Sequence, residues 1–275
     1  AALAETDVER LLMVVRRLRE RGVGVIYVSH RMPEIFAIAD RVTVLRDGNH
    51  IGTRPIAEVN QEMLVSMMVG RSIEQLFPKV AAELGETVLD VRNVSFRQRV
   101  QNVSLQLRAG EILGIAGLVG SGRTELALTL FGITPATEGE IRVDGRHEVI
   151  DTPRRARDLG IAYIPEDRGL QGLIRPQTIR ENIAHAILDR ISWLSFVDRS
   201  KERTLATQGI AQFSIKARGP EQVAGTLSGG NQQKVVIAKW LGTTPKILIM
   251  DEPTRGIDVG AKSEIYALMS RLAQQ

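Results

Sequence analysis

The sequence predicts an α/β protein with a mostly parallel core sheet and an antiparallel β subdomain. Three observations predict it. Residues 111–116 form an apolar run of buried-strand type that enters the glycine-rich GLVGSGRT at 117–124, followed by the helical 125–131. Residues 246–250 form a second apolar run, which ends in the acids Asp251 and Glu252. Strand, loop and helix in alternation are the pattern of parallel α/β units. Residues 88–107 read instead as two antiparallel strands around 97–100.

The elements follow in order. Val8, Leu11, Leu12, Val15 and Leu18 recur at helical spacing. Residues 23–28 are short, apolar and β-branched, and predict a buried strand. Residues 33–39 predict a helix. Residues 41–46 and 49–53 flank Asp47-Gly48, a strong hairpin signal. Residues 58–69 predict an amphipathic helix whose Met63, Met67 and Met68 fill a core. Pro78 and Gly85 mark 73–86 as a linker between 1–72 and 87–275.

The first and last 21 residues align without gaps. Ile257 falls opposite Leu3, Ile265 opposite Leu11, Tyr266 opposite Leu12 and Leu272 opposite Leu18. Both are a short loop followed by an amphipathic helix. The expectation is the tail of one domain followed by the front of a second, similar one. With Ala1 in place of Met, an internal fragment is expected.

Composition narrows the function. The absence of cysteine excludes a disulfide framework and a thiolate metal site. A net charge of +4 spread over 275 residues is no nucleic-acid signal, and the basic run Arg154-Arg155-Ala156-Arg157 reads as a solvated face. No apolar stretch approaches the ~18–20 residues that a membrane helix needs.

The glycine loop has the spacing of GxxxxGK[ST], with Arg123 in place of the lysine. Gly117, Gly120 and Gly122, with Ser121, let backbone N–H groups curl around phosphate oxygens, and the following helix N-terminus adds partial positive charge. Thr124 supplies a hydroxyl for Mg²⁺. Arg123 keeps the charge of lysine, but its planar fork does not reproduce a compact ammonium between two phosphates. Binding is therefore expected more than fast hydrolysis. Asp251 is placed to hold Mg²⁺ through water, and Glu252 to orient or deprotonate an attacking water. Residues 227–234 read LSGGNQQK and precede a helical run.

Glycine loop, LSGG and the apolar run ending in DEP, in that order, resemble the nucleotide-binding subunits of ABC transporters, a P-loop NTPase fold. More narrowly the chain resembles the double-domain ATPases of bacterial sugar importers of the ribose, xylose, arabinose and galactose type. The residues that carry this are GLVGSGRTE at 117–125, IPEDR at 164–168, LSGGNQQK at 227–234 and DEPTRGIDV at 251–259.

The resemblance implies an ATPase that uses ATP and Mg²⁺ at the cytoplasmic face of the inner membrane. Its partners would be transmembrane permease subunits, a second ABC domain and, indirectly, a periplasmic solute-binding protein; no nucleic acid is implied. Ser228, Gly229 and Gly230 would face a nucleotide held by the opposing domain. His30, in Tyr27-Val-Ser-His30, would be the histidine switch of the first domain, and residues 1–4 would follow that domain's own acids. Neither ATP site would then be complete within the chain. Glu166 occupies the region of a glutamine that usually neighbours the γ-phosphate; a carboxylate is a poorer neighbour there, and its expected role is at the nucleotide or in coupling to the membrane partner. About 165–225, between that region and LSGG, would be the α-helical subdomain that faces the permease. Asn231 replaces the glutamine that usually follows LSGG. Phe96 is a candidate to stack on adenine, or a core phenylalanine. Two other readings compete: a tandem ATPase acting on ribosomes, against which the short, mixed-charge linker argues, and a non-catalytic truncated remnant.

Overall fold

A computed structural model describes residues 5–29, 31–46, 48–70, 82–194 and 196–274, without the side chains of 5–7 and 259. The chain divides into two compact units. One spans Ala1–Lys79 with Gly256–Leu268, the other Val80–Arg255 with Met269–Gln275.

In the first unit, α1 (Glu5–Glu20) is amphipathic and α2 (Met32–Ile38) carries Pro33 in its first turn, where the missing N–H costs nothing. Strands β1 (Arg41–Arg46) and β2 (Asn49–Pro55) form an antiparallel hairpin with Arg46 opposite Asn49. Gly48 takes φ 79° in its turn, while Asp47 lies outside the described residues. Helix α3 (Gln61–Val69) is shorter than predicted, because Asn60 caps it by accepting from the Met63 N–H at 2.8 Å. Met32, Val44, Leu64 and Val65 form the core, with Met67 and Met68 packed against it. Met63, expected there too, is exposed.

Residues 23–28 are not a strand. They enter no sheet, and Ile26 is 94% exposed. A strand is defined by its paired neighbour, and among the described residues this segment has none. It is tied down locally instead: Tyr27 OH and Ser29 Oγ donate to Glu34 Oε2 at 2.8 and 2.9 Å. Burial pushes the Glu34 carboxyl up, but those hydrogen bonds and Arg31 outweigh it and hold it below the usual carboxylate range.

In the second unit, β3 (Thr87–Phe96) and β4 (Val100–Arg108) are the predicted antiparallel pair. Helix α4 (Arg123–Leu130) comes next, then β5 (Glu138–Val143) and β6 (Arg146–His147), which complete a sheet of order β4-β3-β5-β6. Helix α5 (Pro153–Asp158) leads into β7 (Ile161–Ile164). Helices α6 (Ile179–Ala184) and α7 (Leu188–Ile191), strands β8 (Ser192–Trp193) and β9 (Phe196–Val197), and helix α8 (Arg199–Gln212) lie within the stretch expected to be helical. Helix α9 (Gly229–Leu241) and β10 (Ile247–Met250) follow, β10 pairing parallel with β7. Helix α10 (Val259–Leu272) is divided between the units. Its first residue falls opposite Glu5, the first of α1, in the alignment that pairs Ile257 with Leu3.

The core of this unit gathers Leu89, Val91 and Ile141 from the antiparallel sheet, Leu126 and Leu130 from α4, and Ile161 and Ile247 from the parallel pair. Phe96 packs against this core, with the Arg97 guanidinium 5.2 Å from its ring centre, as a core phenylalanine would. Residues 111–116 differ from expectation. They enter no sheet, and Ile112, Leu113 and Ile115 are exposed, so the parallel sheet among the described residues consists of β7 and β10. The basic run is not merely solvated: Arg155 pairs with Glu148, and Arg157 reaches Asp189 at 2.7 Å and Asp158 at 2.9 Å.

Candidate functional site

The acids stand at the end of the parallel pair. Met250 lies opposite Ile164, and the Asp251 N–H donates to the Ile164 carbonyl at 2.9 Å, extending the ladder by one bond. Below it, the buried Tyr163 donates its hydroxyl to Asp251 Oδ2 at 3.4 Å. Burial, then the Asp251 charge, raise the phenol well above its ordinary value, so Tyr163 stays a donor. Glu252 is exposed and adopts φ 41°, a left-handed conformation costing about 1 kcal/mol for a side chain with a Cβ. Its carbonyl accepts from the Arg255 N–H at 2.9 Å, closing a turn over the strand end.

The glycine loop opens α4. Gly120 and Gly122 take φ 82° and 93°, and the helix begins at Arg123. A Cβ on Gly122 would lie 2.5 Å from the Arg99 carbonyl oxygen, and one on Gly117 2.4 Å from Ser121 Oγ. The loop therefore needs glycine at 120 for its dihedral and at 122 for both dihedral and space, whereas at 117 the obstacle is the end of a serine side chain. Thr124 sits in the first turn of α4, whose free N–H groups favour an anion. Arg123 Nη2 reaches Glu252 Oε1 at 3.3 Å. The glycine loop and the acids, 129 residues apart in sequence, thus meet within one unit.

The Glu166 carboxylate forms an ion pair with Arg255. Arg168 Nη1 donates to the Arg255 carbonyl at 2.8 Å. Asp167 accepts from the N–H groups of Gly169 and Leu170 at 2.9 and 3.0 Å and so caps the following turn. That turn ends at Gly172, whose carbonyl accepts from Lys239 Nζ of α9. A Cβ on Gly172 would lie 2.9 Å from Val236 Cγ2, so the turn lies flush against α9.

Ser228 is exposed at the N-cap of α9, with Gly229 and Gly230 as the first helical residues. Asn231 Nδ2 donates to Ser228 Oγ at 2.9 Å, and its Oδ1 accepts from the Lys216 N–H at 2.8 Å. Behind this tip, Val235, Val236 and Ile237 are fully buried. The structure brings Arg123 to Glu252 and leaves Ser228 with Asn231 as its hydrogen-bonding neighbour. His30 lies outside the described residues.

Tyr163, Arg168, Lys239 and Arg255 carry no expectation in the sequence. Arg255 sits inside the DEPTRG motif, and an unassigned cation beside two acids is the signal that marks it.

A protein-family model described as ABC transporter matches residues 100–255. Over all 275 residues the chain is 49% identical to the ribose import ATP-binding protein RbsA of Halalkalibacterium halodurans, covering 55% of that protein. It is 48% identical to a putative ribose/galactose/methyl galactoside import ATP-binding protein of Pseudomonas syringae pv. tomato, covering 52% of it. The chain thus spans about half the length of the curated relatives it matches. Among solved structures, a dimeric ATP-binding cassette in a post-hydrolysis state with ADP and Pi matches with a TM-score of 0.57 at 22% identity. That match covers 68% of this chain and 83% of the other. A bacterial Atm1-family ABC exporter with ATP bound matches with a TM-score of 0.54 at 27% identity, covering 71% of this chain and 34% of the other. The resemblance read from the motifs, to ATPases of sugar import, stands, as does the ABC ATPase fold class.

Proposed function

Because the chain belongs to the ABC transporter family, we propose that it is part of the ATP-binding, ATP-hydrolysing subunit that energises import of a sugar or sugar-like solute through a membrane permease. The observation that carries this reading is the contact of Arg123 with Glu252, which joins a glycine loop to the acids at a strand end. The printed names of the relatives supply the solute class. On this reading residues 1–72 are the C-terminal part of one ATPase domain and 87–275 the front of a second, which contains the matched residues 100–255.

The first turn of α4, with Gly117, Gly120, Ser121 and Gly122, receives the phosphates through backbone N–H groups. Arg123 exchanges Glu252 for phosphate oxygens, and Glu252 is released to orient or deprotonate the attacking water. Thr124 and Asp251 suit Mg²⁺. Among the described residues no group of three or more His, Cys, Asp or Glu could hold a metal, and Mg²⁺ is commonly held by one carboxylate together with substrate phosphates. When bound, Mg²⁺ would neutralise charge on the phosphates. Ser228, Gly229 and Gly230 close over a nucleotide held by an opposing cassette, and His30 serves as a histidine switch. Domain closure then passes to permease subunits supplied by a periplasmic binding protein. On this reading the subunit sits peripherally at the cytoplasmic face of the membrane; no helix among the described residues is long and apolar enough to cross one.

Titration of the chain with a fluorescent ATP analogue tests the nucleotide site: saturable binding, displaced by ATP and strengthened by Mg²⁺, is expected. Hydrolysis that rises when a sugar-loaded binding protein is added to the assembled permease tests the rest. A chain that shows no saturable binding overturns the reading.

A further inference from the structure

Arg255 is held twice by one loop. Its guanidinium pairs with the Glu166 carboxylate, and its carbonyl accepts from Arg168 at 2.8 Å. Its own N–H donates to the Glu252 carbonyl at 2.9 Å. The doubly held residue therefore closes the turn in which Glu252 adopts φ 41°. A residue with a Cβ keeps such a conformation only where its surroundings impose it. The holding loop is itself anchored at its rear, through the Asp167 cap and through Lys239 of the buried helix α9 on the Gly172 carbonyl. A clamp fixed at its far end can transmit restraint to the near one. Charge adds a second argument. A lone carboxylate at Glu166 would repel a γ-phosphate, whereas the Glu166–Arg255 pair is neutral as a whole.

We propose that Glu166 and Arg255 are positioning residues: with Arg168 they hold the turn that carries Glu252, and Glu166 acts on ATP hydrolysis through Arg255 without touching a phosphate. This rests on the ATPase reading above.

Steady-state ATP hydrolysis by the full assembly, with its second cassette and permease, tests it. Glu166→Gln keeps the shape of the side chain and weakens the ion pair. It is expected to lower kcat by about tenfold or more, since small displacements of a reacting group are costly, while KM and the Kd for MgATP stay within about twofold. Arg255→Lys should show the same split. The exchange Glu166→Arg with Arg255→Glu should recover kcat above either single reversal, and retained nucleotide binding certifies each variant as folded. A raised KM with kcat unchanged would place Glu166 on the nucleotide and overturn the clamp. So would unchanged kinetics in Glu166→Gln, or an exchange that recovers nothing. If the unsubstituted assembly does not hydrolyse ATP, the ATPase reading fails and the clamp fails with it.

Discussion

Asp251 leaves a strand whose residues all face partners on β7, whereas Gly117 leaves a segment that enters no sheet among the described residues. Both follow apolar runs of similar length and composition. On the paired side Ile247 is almost fully buried and Leu248, Ile249 and Met250 are half-buried, opposite a fully covered β7; on the other Ile115 is 48% exposed. The difference teaches that an apolar run supplies the motive for burial and pairing supplies the means. A backbone without a neighbour cannot place its polar groups in a sheet, so its side chains stay at the surface. The two loops meet all the same, through Arg123 and Glu252, because α4 packs into the core and carries the glycine loop with it.

Substitutions break or sharpen this comparison. The largest effect is expected at the tip of the paired side. Glu252→Gln should lower kcat of the assembled ATPase by about 10²–10⁴-fold. It also weakens Arg123's tether, so MgATP should bind at least as tightly, as read by titration. A matched pair of truncations comes next. Ile164→Ala should cost about 2–5 kcal/mol in denaturant unfolding. Ile115→Ala should stay within about 0.5 kcal/mol; equal losses would show that the two segments are equally packed.

Lys239, on α9 behind the paired side, gives a smaller effect that depends on pH. Burial pushes its ammonium from 10.5 down to about 8. Between these values the unfolded lysine binds a proton that the folded one has lost, so stability rises with pH across that window and levels off above it. The full gain approaches about 3 kcal/mol, and Lys239→Met should flatten the profile. Gly120→Ala should be the mildest. Nothing lies within 4 Å of the added Cβ, so only φ 82° is strained, at about 1 kcal/mol in thermal unfolding. Gly122→Ala should exceed it, because the Arg99 carbonyl stands in the way.

Much of this was legible in the sequence. Where the signal is local, as in the Asp47-Gly48 hairpin, the β3–β4 pair or the start of α4, prediction and structure coincide within a few residues. The order of glycine loop, LSGG and DEP pointed to the family that residues 100–255 match. What escaped depends on tertiary partners. Residues 23–28 and 111–116 have the composition of strands, but pairing is not written in composition. The ion-pair partner of Glu166 escaped as well, because a position in a motif says nothing of Arg255, 89 residues away. Met63 lies one turn before Met67 on the same helix but is exposed, in the first turn of α3, which spacing alone does not foretell.

The chain has two tryptophans, and the fold gives them opposite surroundings. Trp240, on the helix headed by Ser228, meets Phe131 edge-on with ring centres 5.2 Å apart, whereas Trp193 on β8 is 79% exposed. A soluble quencher such as acrylamide would therefore quench Trp193 more strongly than the partly buried Trp240. The light that survives comes mostly from the joint between that helix and the core, so the protein carries its own optical gauge of whether the two move apart when nucleotide arrives.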